Sequence, residues 1–208
     1  MPIVTISRMY GAGGSEVAAR VANLLGWSLL DNALVDSVAQ RLGVTVEEVR
    51  ARQERRPSLA QRLADAMALG SPQMLVPADA DALPPSEERM LEVTRRVIDE
   101  AVARGPVVIV GRGAQASLES RTDALHVFCY APRAALVARA MRRDGLGEHE
   151  AGRIVDETNR EREQYVRRHW NRSWSAHQNY HLCVNTDWLG VDGAAAVVAG
   201  LAHERLRA

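Results

Sequence analysis

Residues 6–16 read ISRMYGAGGSE, and this stretch decides how the rest of the chain is understood. It begins inside an apolar, β-branched run, IVTI (Ile3 to Ile6). It ends in SEVAARVANLL (Ser15 to Leu25), where Val17, Ala18, Val21, Leu24 and Leu25 recur at helical spacing before Gly26. The order strand, glycine-rich turn, helix exposes successive backbone N–H groups and the positive end of a helix, which together bind phosphate. Against the pattern G-x-x-x-x-G-K-[ST], Gly13-Gly14-Ser15 stands in the place of Gly-Lys-Ser, and Arg8 occupies the first glycine position. Taken alone, such a turn serves equally to pack a helix on a strand. Arg8 shifts the balance, because a guanidinium at the mouth of a lysine-free loop is placed to supply the absent charge as a bidentate contact.

The whole chain lacks lysine: all 26 basic residues are arginine. An Arg/Ala-biased composition accounts for most of them, yet every cationic contact to a phosphate must then be made by a permanently charged, bidentate guanidinium. The 26 acidic residues balance them to a net charge of zero, so no whole-molecule attraction to nucleic acid is expected. A length of 208 residues suits one α/β domain with a small lid or insert. Cys129 and Cys183 fall in apolar runs and read as buried free thiols rather than a disulfide, which fits a cytoplasmic protein. The N-terminus enters a strand directly, and no apolar run reaches about 18 residues, so neither export nor a membrane is expected.

Four more strand-like runs follow: WSLLD (Trp27 to Asp31), VVIV (Val107 to Val110), ALHVFCY (Ala124 to Tyr130) and YHLCVN (Tyr180 to Asn185). Their uninterrupted apolar character, with helical patterns between them, predicts a parallel sheet covered on both faces. Between the second and third strands the helical patterns are NALVDSVAQRLG, TVEEVRARQE, SLAQRLADAMALG and SEERMLEVTRRVIDEAVARG, with Thr45 and Ser86 as N-caps. Residues 70–85, with four prolines, read as a loop.

Three further segments carry candidate chemistry. VVIVGRGA brings Arg112 to the carboxyl edge of the sheet, where open α/β sheets bind ligands, although an exposed loop arginine has the same look. Asp31 ends the second strand in the same way, and also suits a helix cap. ETNREREQYVRRHWNRSW crowds Arg160, Arg162, Arg167, Arg168 and Arg172 into a helical stretch with Glu161 and Glu163 interleaved. It reads as a solvated face of i,i+4 pairs or as a set of arginines closing over transferring phosphates.

The succession SRMYGAGG, LLD, VIVGRGA, HVFCYAPRAALVARAMRRDG, DETNREREQY and NYHLCVNTDWLGVD resembles the cytidylate kinase-like family of P-loop nucleoside monophosphate kinases over nearly the whole chain. The resemblance implies an α/β, P-loop NTPase-like three-layer sandwich: a five-stranded parallel sheet with helices on both faces, a helical monophosphate-binding insert and an arginine-rich lid. Within a single domain, 1–208, it assigns residues 1–31, 105–145 and 178–208 to the core, about 32–104 to the insert and about 146–177 to the lid. It implies ATP and magnesium as cosubstrates and CMP or dCMP as the acceptor. Gly11, Ala12, Gly13, Gly14, Ser15 and Glu16 match the phosphate-binding loop, with Ser15 the hydroxyl on the magnesium side. Asp31 and Arg112 match residues near the acceptor, Arg139 resembles the arginine near the donor base, and Arg160 and Arg162 resemble the lid arginines. Arg8, Arg160 and Arg162 are the expected catalytic cations. The chain departs from the cytidylate kinases proper at the loop lysine and at the aspartate ending the third strand, where it has Gly14 and Val110; His181 stands where similar sequences often have an acid. Two other readings remain, a nucleotide-binding regulatory module without turnover and a small-molecule kinase with another acceptor. A lysine restored at position 14 is expected to keep or raise activity on two conditions: that it does not clash with Arg8, and that position 14 does not need a φ that only glycine adopts.

Overall fold

Five apolar segments pair into one sheet, β1 (Ile3–Arg8), β2 (Ser28–Leu30), β3 (Val107–Val110), β4 (Ala124–Tyr130) and β5 (Leu182–Asn185), in the order β2-β3-β1-β4-β5. Every neighbouring pair is parallel. The computed structural model describes residues 1–31, 41, 43 and 87–206. The helical patterns expected between 32 and 69, the caps at Thr45 and Ser86 and the proline-rich loop at 70–85 lie outside the described residues. β1 runs two residues past Ile6 because Ser7 and Arg8 continue the ladder opposite Phe128 and Cys129. β5 begins only at Leu182, although the His181 N–H already donates to the His126 carbonyl at 2.8 Å.

Alternation along each strand sends side chains to both faces, and both are covered, which is why the strands read as unbroken apolar runs. Val4, Ile6, Val108, Val110 and Val127 meet α1 (Gly14–Leu25), a helix that ends at Gly26 in a left-handed cap. Ile3, Val107 and Ile109 meet Met90, Val97, Ile98 and Val102 of α2 (Glu87–Arg104) and Ala114 of α3 (Ala114–Ser117). α2, the last part of the expected insert, thus packs on the sheet. α4 (Arg133–Asp144), α5 (Glu148–Trp170) and α6 (Thr186–Arg205) complete the described chain. Cys129 and Cys183 are free thiols, the first buried and the second half-buried; burial pushes the Cys129 thiol up to about 12, so it stays protonated. No helix among the described residues is long and apolar enough to cross a membrane.

One polar cluster interrupts the apolar layers. His126 on β4 lies opposite Thr5, whose hydroxyl is 2.8 Å from Nδ1, and stacks on His181 with ring centroids 5.0 Å apart. Burial, and next the neighbouring His181, push His126 down to about 4. The folded protein therefore resists a proton that the unfolded chain accepts near the ordinary value of about 6.5. Stability should be full above that pH and fall as the pH drops from about 6.5 towards 4. Urea midpoints measured across this window should decline for the wild type and decline less for His126→Gln; an equal decline in both would contradict the assignment.

Candidate active site

Two glycine turns leave the sheet side by side. The first follows β1: Gly11 and Gly13 have φ of 82° and 69°, and α1 begins at Gly14 with Gly13 as its left-handed N-cap. The amides of the first helical turn have no intrahelical acceptor and point out of the helix end. A Cβ on Gly11 would come within 2.5 Å of the Leu136 carbonyl oxygen, so only glycine lets the loop pack against α4 here. The second turn follows β3, where Gly111, Arg112 and Gly113 have φ of 67°, 58° and 67°. Three successive left-handed residues are costly for the arginine in the middle, a kind of strain that clusters at ligand sites. Because Ile6 and Val110 are register partners and the Gly111 N–H donates to the Ile6 carbonyl at 3.0 Å, both turns open at the same point of the sheet's carboxyl edge.

A pocket of about 680 Å³, counting the solvent at its mouth, lies beside them, lined among others by Arg8, Arg112, Arg162, Tyr165 and Trp174. None of its described lining residues is acidic, so three guanidinium groups on three elements give it an anion-binding character. Burial pushes the Tyr165 phenol up to about 12, against the pull of Arg112, so the phenol keeps its proton. The loop residues Gly11, Ala12, Gly13 and Gly14, and Ser15, Glu16, Asp31, Arg139 and Arg160, lie outside this lining. Ser15 sits in the first turn of α1, and Asp31, half-buried, just past the end of β2. Arg139 on α4 pairs with Glu16 and reaches over Gly13, a Cβ on which would meet its Nη2 at 2.8 Å.

Helix α5 joins the two turns. The Tyr10 N–H donates to Asn159 Oδ1 at 2.8 Å, Arg162 Nη1 donates to the Arg8 carbonyl at 2.6 Å, and Trp170 packs against Gly113. Tyr10 is held in turn by Asp144, to which its hydroxyl donates at 2.9 Å, with the Arg143 guanidinium 4.6 Å from the ring centroid. Arg160 is exposed on α5, two residues from Arg162, as neighbours so spaced on a helix must diverge. Sequence reasoning missed Tyr10, Asn159, Tyr165, Trp170 and Trp174; the signal for part of this set was the spacing i, i+3, i+7, i+11 of Asn159, Arg162, Val166 and Trp170, one stripe of a helix.

The conditions on a lysine at position 14 separate. Gly14 has no left-handed φ, so the backbone permits it. Its Cβ, however, would overlap Arg8 Cβ and lie 2.8 Å from Arg8 Cγ, so the single replacement is disfavoured.

The family model described as the cytidylate kinase-like family matches residues 3–188. A search of curated proteins finds no match. Among solved structures, the chain is similar to an uncharacterized protein from Eubacterium ventriosum ATCC 27560, at 18% identity and a TM-score of 0.71, covering 99% of this chain and 100% of that one. It is also similar to shikimate kinase from Bacteroides thetaiotaomicron, at 16% identity and a TM-score of 0.56, over 96% and 97% of the two chains. A third, TT1252 from Thermus thermophilus, is 21% identical with a TM-score of 0.54, over 97% of each chain. These likenesses show the fold alone.

The contact between Gly113 and Trp170 is separable from the cost of a left-handed backbone. A Cβ on Gly113 would overlap the Trp170 ring, whereas Gly145 has the same φ of 67° with nothing within 4 Å. Gly113→Ala should therefore lower stability to urea by roughly 1–3 kcal/mol more than Gly145→Ala. Equal losses would contradict the packing.

Proposed function

The chain belongs to the cytidylate kinase-like family, and we propose that it transfers the γ-phosphoryl group of ATP to a nucleoside monophosphate, CMP or dCMP before others. One observation supports this above all: two glycine turns follow neighbouring strands, and Arg8, from the strand before the first, meets Arg112 of the second and Arg162 in one pocket. Two phosphates that must react need two such cradles, and the arginines offset the repulsion of bringing them together. The preference for cytidine rests on the family alone.

In this reading the first-turn amides of α1 hold the donor β- and γ-phosphates and Arg112 holds the acceptor phosphate. An acceptor oxygen attacks the γ-phosphorus in line, the bond to the β-phosphate oxygen breaks, and ADP leaves. The attacking oxygen is already anionic, so no general base is needed. Arg162 neutralises charge on the transferring group, and the segment about 146–177 acts as a lid that excludes water. Magnesium, when bound, neutralises the β- and γ-oxygens. In this reading the Ser15 hydroxyl would hold it; Val110 offers no carboxylate, and no cluster of three or more His, Cys, Asp or Glu suited to a metal occurs among the described residues. Such an ion would keep most of its ligands as water and nucleotide oxygens, as magnesium commonly does.

ADP release measured with CMP, dCMP, UMP, AMP, GMP and no acceptor tests the reading. Release should be fastest with CMP or dCMP, and Arg162→Ala should slow it on the order of 10-fold or more while Arg160→Ala changes it less than about twofold. ATP binding without release would favour the regulatory module, and release only with a non-nucleotide acceptor the small-molecule kinase.

A further inference from the structure

Position 8 and position 14 share one space. A Cβ on Gly14 would overlap Arg8 Cβ, an atom that the backbone fixes, so no rotamer of Arg8 admits a side chain at position 14. The Arg8 stem therefore runs where the root of a lysine on α1 would lie. Its guanidinium does not turn back over the first loop. It crosses to the second: a Cβ on Gly111 would overlap Arg8 Nη1 and lie 3.1 Å from Cζ. Glycine at 14 makes room for the stem, and glycine at 111 makes room for the head. Arg162 fixes the base of the same residue through the Arg8 carbonyl.

We infer that Arg8 and Gly14 are one exchanged unit: the cation that a phosphate-binding loop takes from its first helical turn is carried here by the preceding strand. The exchange moves the charge. A lysine on α1 would serve the donor phosphates alone, whereas a guanidinium against Gly111 stands between the two cradles, with donors enough to contact both the transferring group and the acceptor. The inference rests on the phosphoryl-transfer reading for its catalytic part, and not for its steric part or for binding of a polyphosphate.

The test is a four-protein cycle: wild type, Arg8→Gly, Gly14→Lys and the double variant. The readouts are thermal midpoint, binding of inorganic triphosphate by isothermal titration, and ADP release with CMP. Gly14→Lys alone should lower the midpoint by about 4 °C or more, or fail to fold, and adding Arg8→Gly should recover most of that loss. Gly14→Ala, which adds only the clashing Cβ, should behave in the same direction if the lysine variant cannot be isolated. Arg8→Gly should weaken triphosphate binding on the order of 10- to 100-fold, and the double variant should regain most of it. Additive losses of midpoint in the double variant, or triphosphate binding within about twofold of wild type in Arg8→Gly, would overturn the inference. If the wild type released ADP with no acceptor, the kinase reading would fail, while the midpoint and the triphosphate titration would still decide the exchange.

Discussion

The pairing of β1 with β3 is the constraint on which the site depends. It aligns Ile6 with Val110 and ties the Gly111 N–H to the Ile6 carbonyl, so the two turns that follow cannot drift apart without breaking the central ladder. Both strands are buried on both faces, and the side chains flanking the site, Val4, Ile6, Val108 and Val110, are at most 1% exposed. A core this closed holds the turns rigidly. The left-handed run Gly111-Arg112-Gly113 persists because the surroundings over-determine it.

The second organising element is the inner stripe of α5. Asn159 and Arg162 hold the first turn and Trp170 the second, while Val166 joins Phe128, Trp174 and Tyr180 in a small cluster beneath the pocket. Elsewhere the helix carries exposed pairs, Arg153–Glu157 within α5 and Arg133–Asp156 between α4 and α5. Exposed pairs of this kind contribute at most about 1 kcal/mol each, whereas a buried aromatic side chain contributes several times that. The stripe therefore decides where α5 lies, and the arginines that face inward do so because the stripe places them there. The same helix reaches α2, where Arg168 donates to Glu87 at 2.6 Å.

All five strands were legible in the sequence: burial on both faces leaves β1, β3 and β4 as apolar runs that need no partner to recognise, and the edge strands β2 and β5, more exposed, keep shorter apolar runs. So was the glycine turn that opens the first helix. The relation of Arg8 to Gly14 was legible only in part. The pattern registered that a glycine and a lysine were missing at positions six apart, but not that the two residues touch, since that depends on how far β1 runs before the chain turns. Trp170 against Gly113 joins residues remote in the sequence, and no local spacing encodes it. The thirteen-residue run from Asn159 to Asn171 holds four arginines and no lysine, and that charge masks the four-residue stripe that positions the helix. His181, which stands where an acid is frequent, accepts the His126 N–H at 3.1 Å through Nδ1, a role for an unprotonated ring nitrogen.

The central claim is that two phosphate cradles on neighbouring strands are bridged by a guanidinium from the first of them. A crystal structure with a bisubstrate inhibitor, adenosine and cytidine joined through five phosphates, tests it most directly. The account predicts the phosphate chain running from the first turn of α1 to the turn at Gly111-Arg112-Gly113, with the Arg8 guanidinium within hydrogen-bond distance of its middle phosphates. Phosphates bound away from one of the two turns, or an Arg8 side chain directed away from the chain of phosphates, would contradict it.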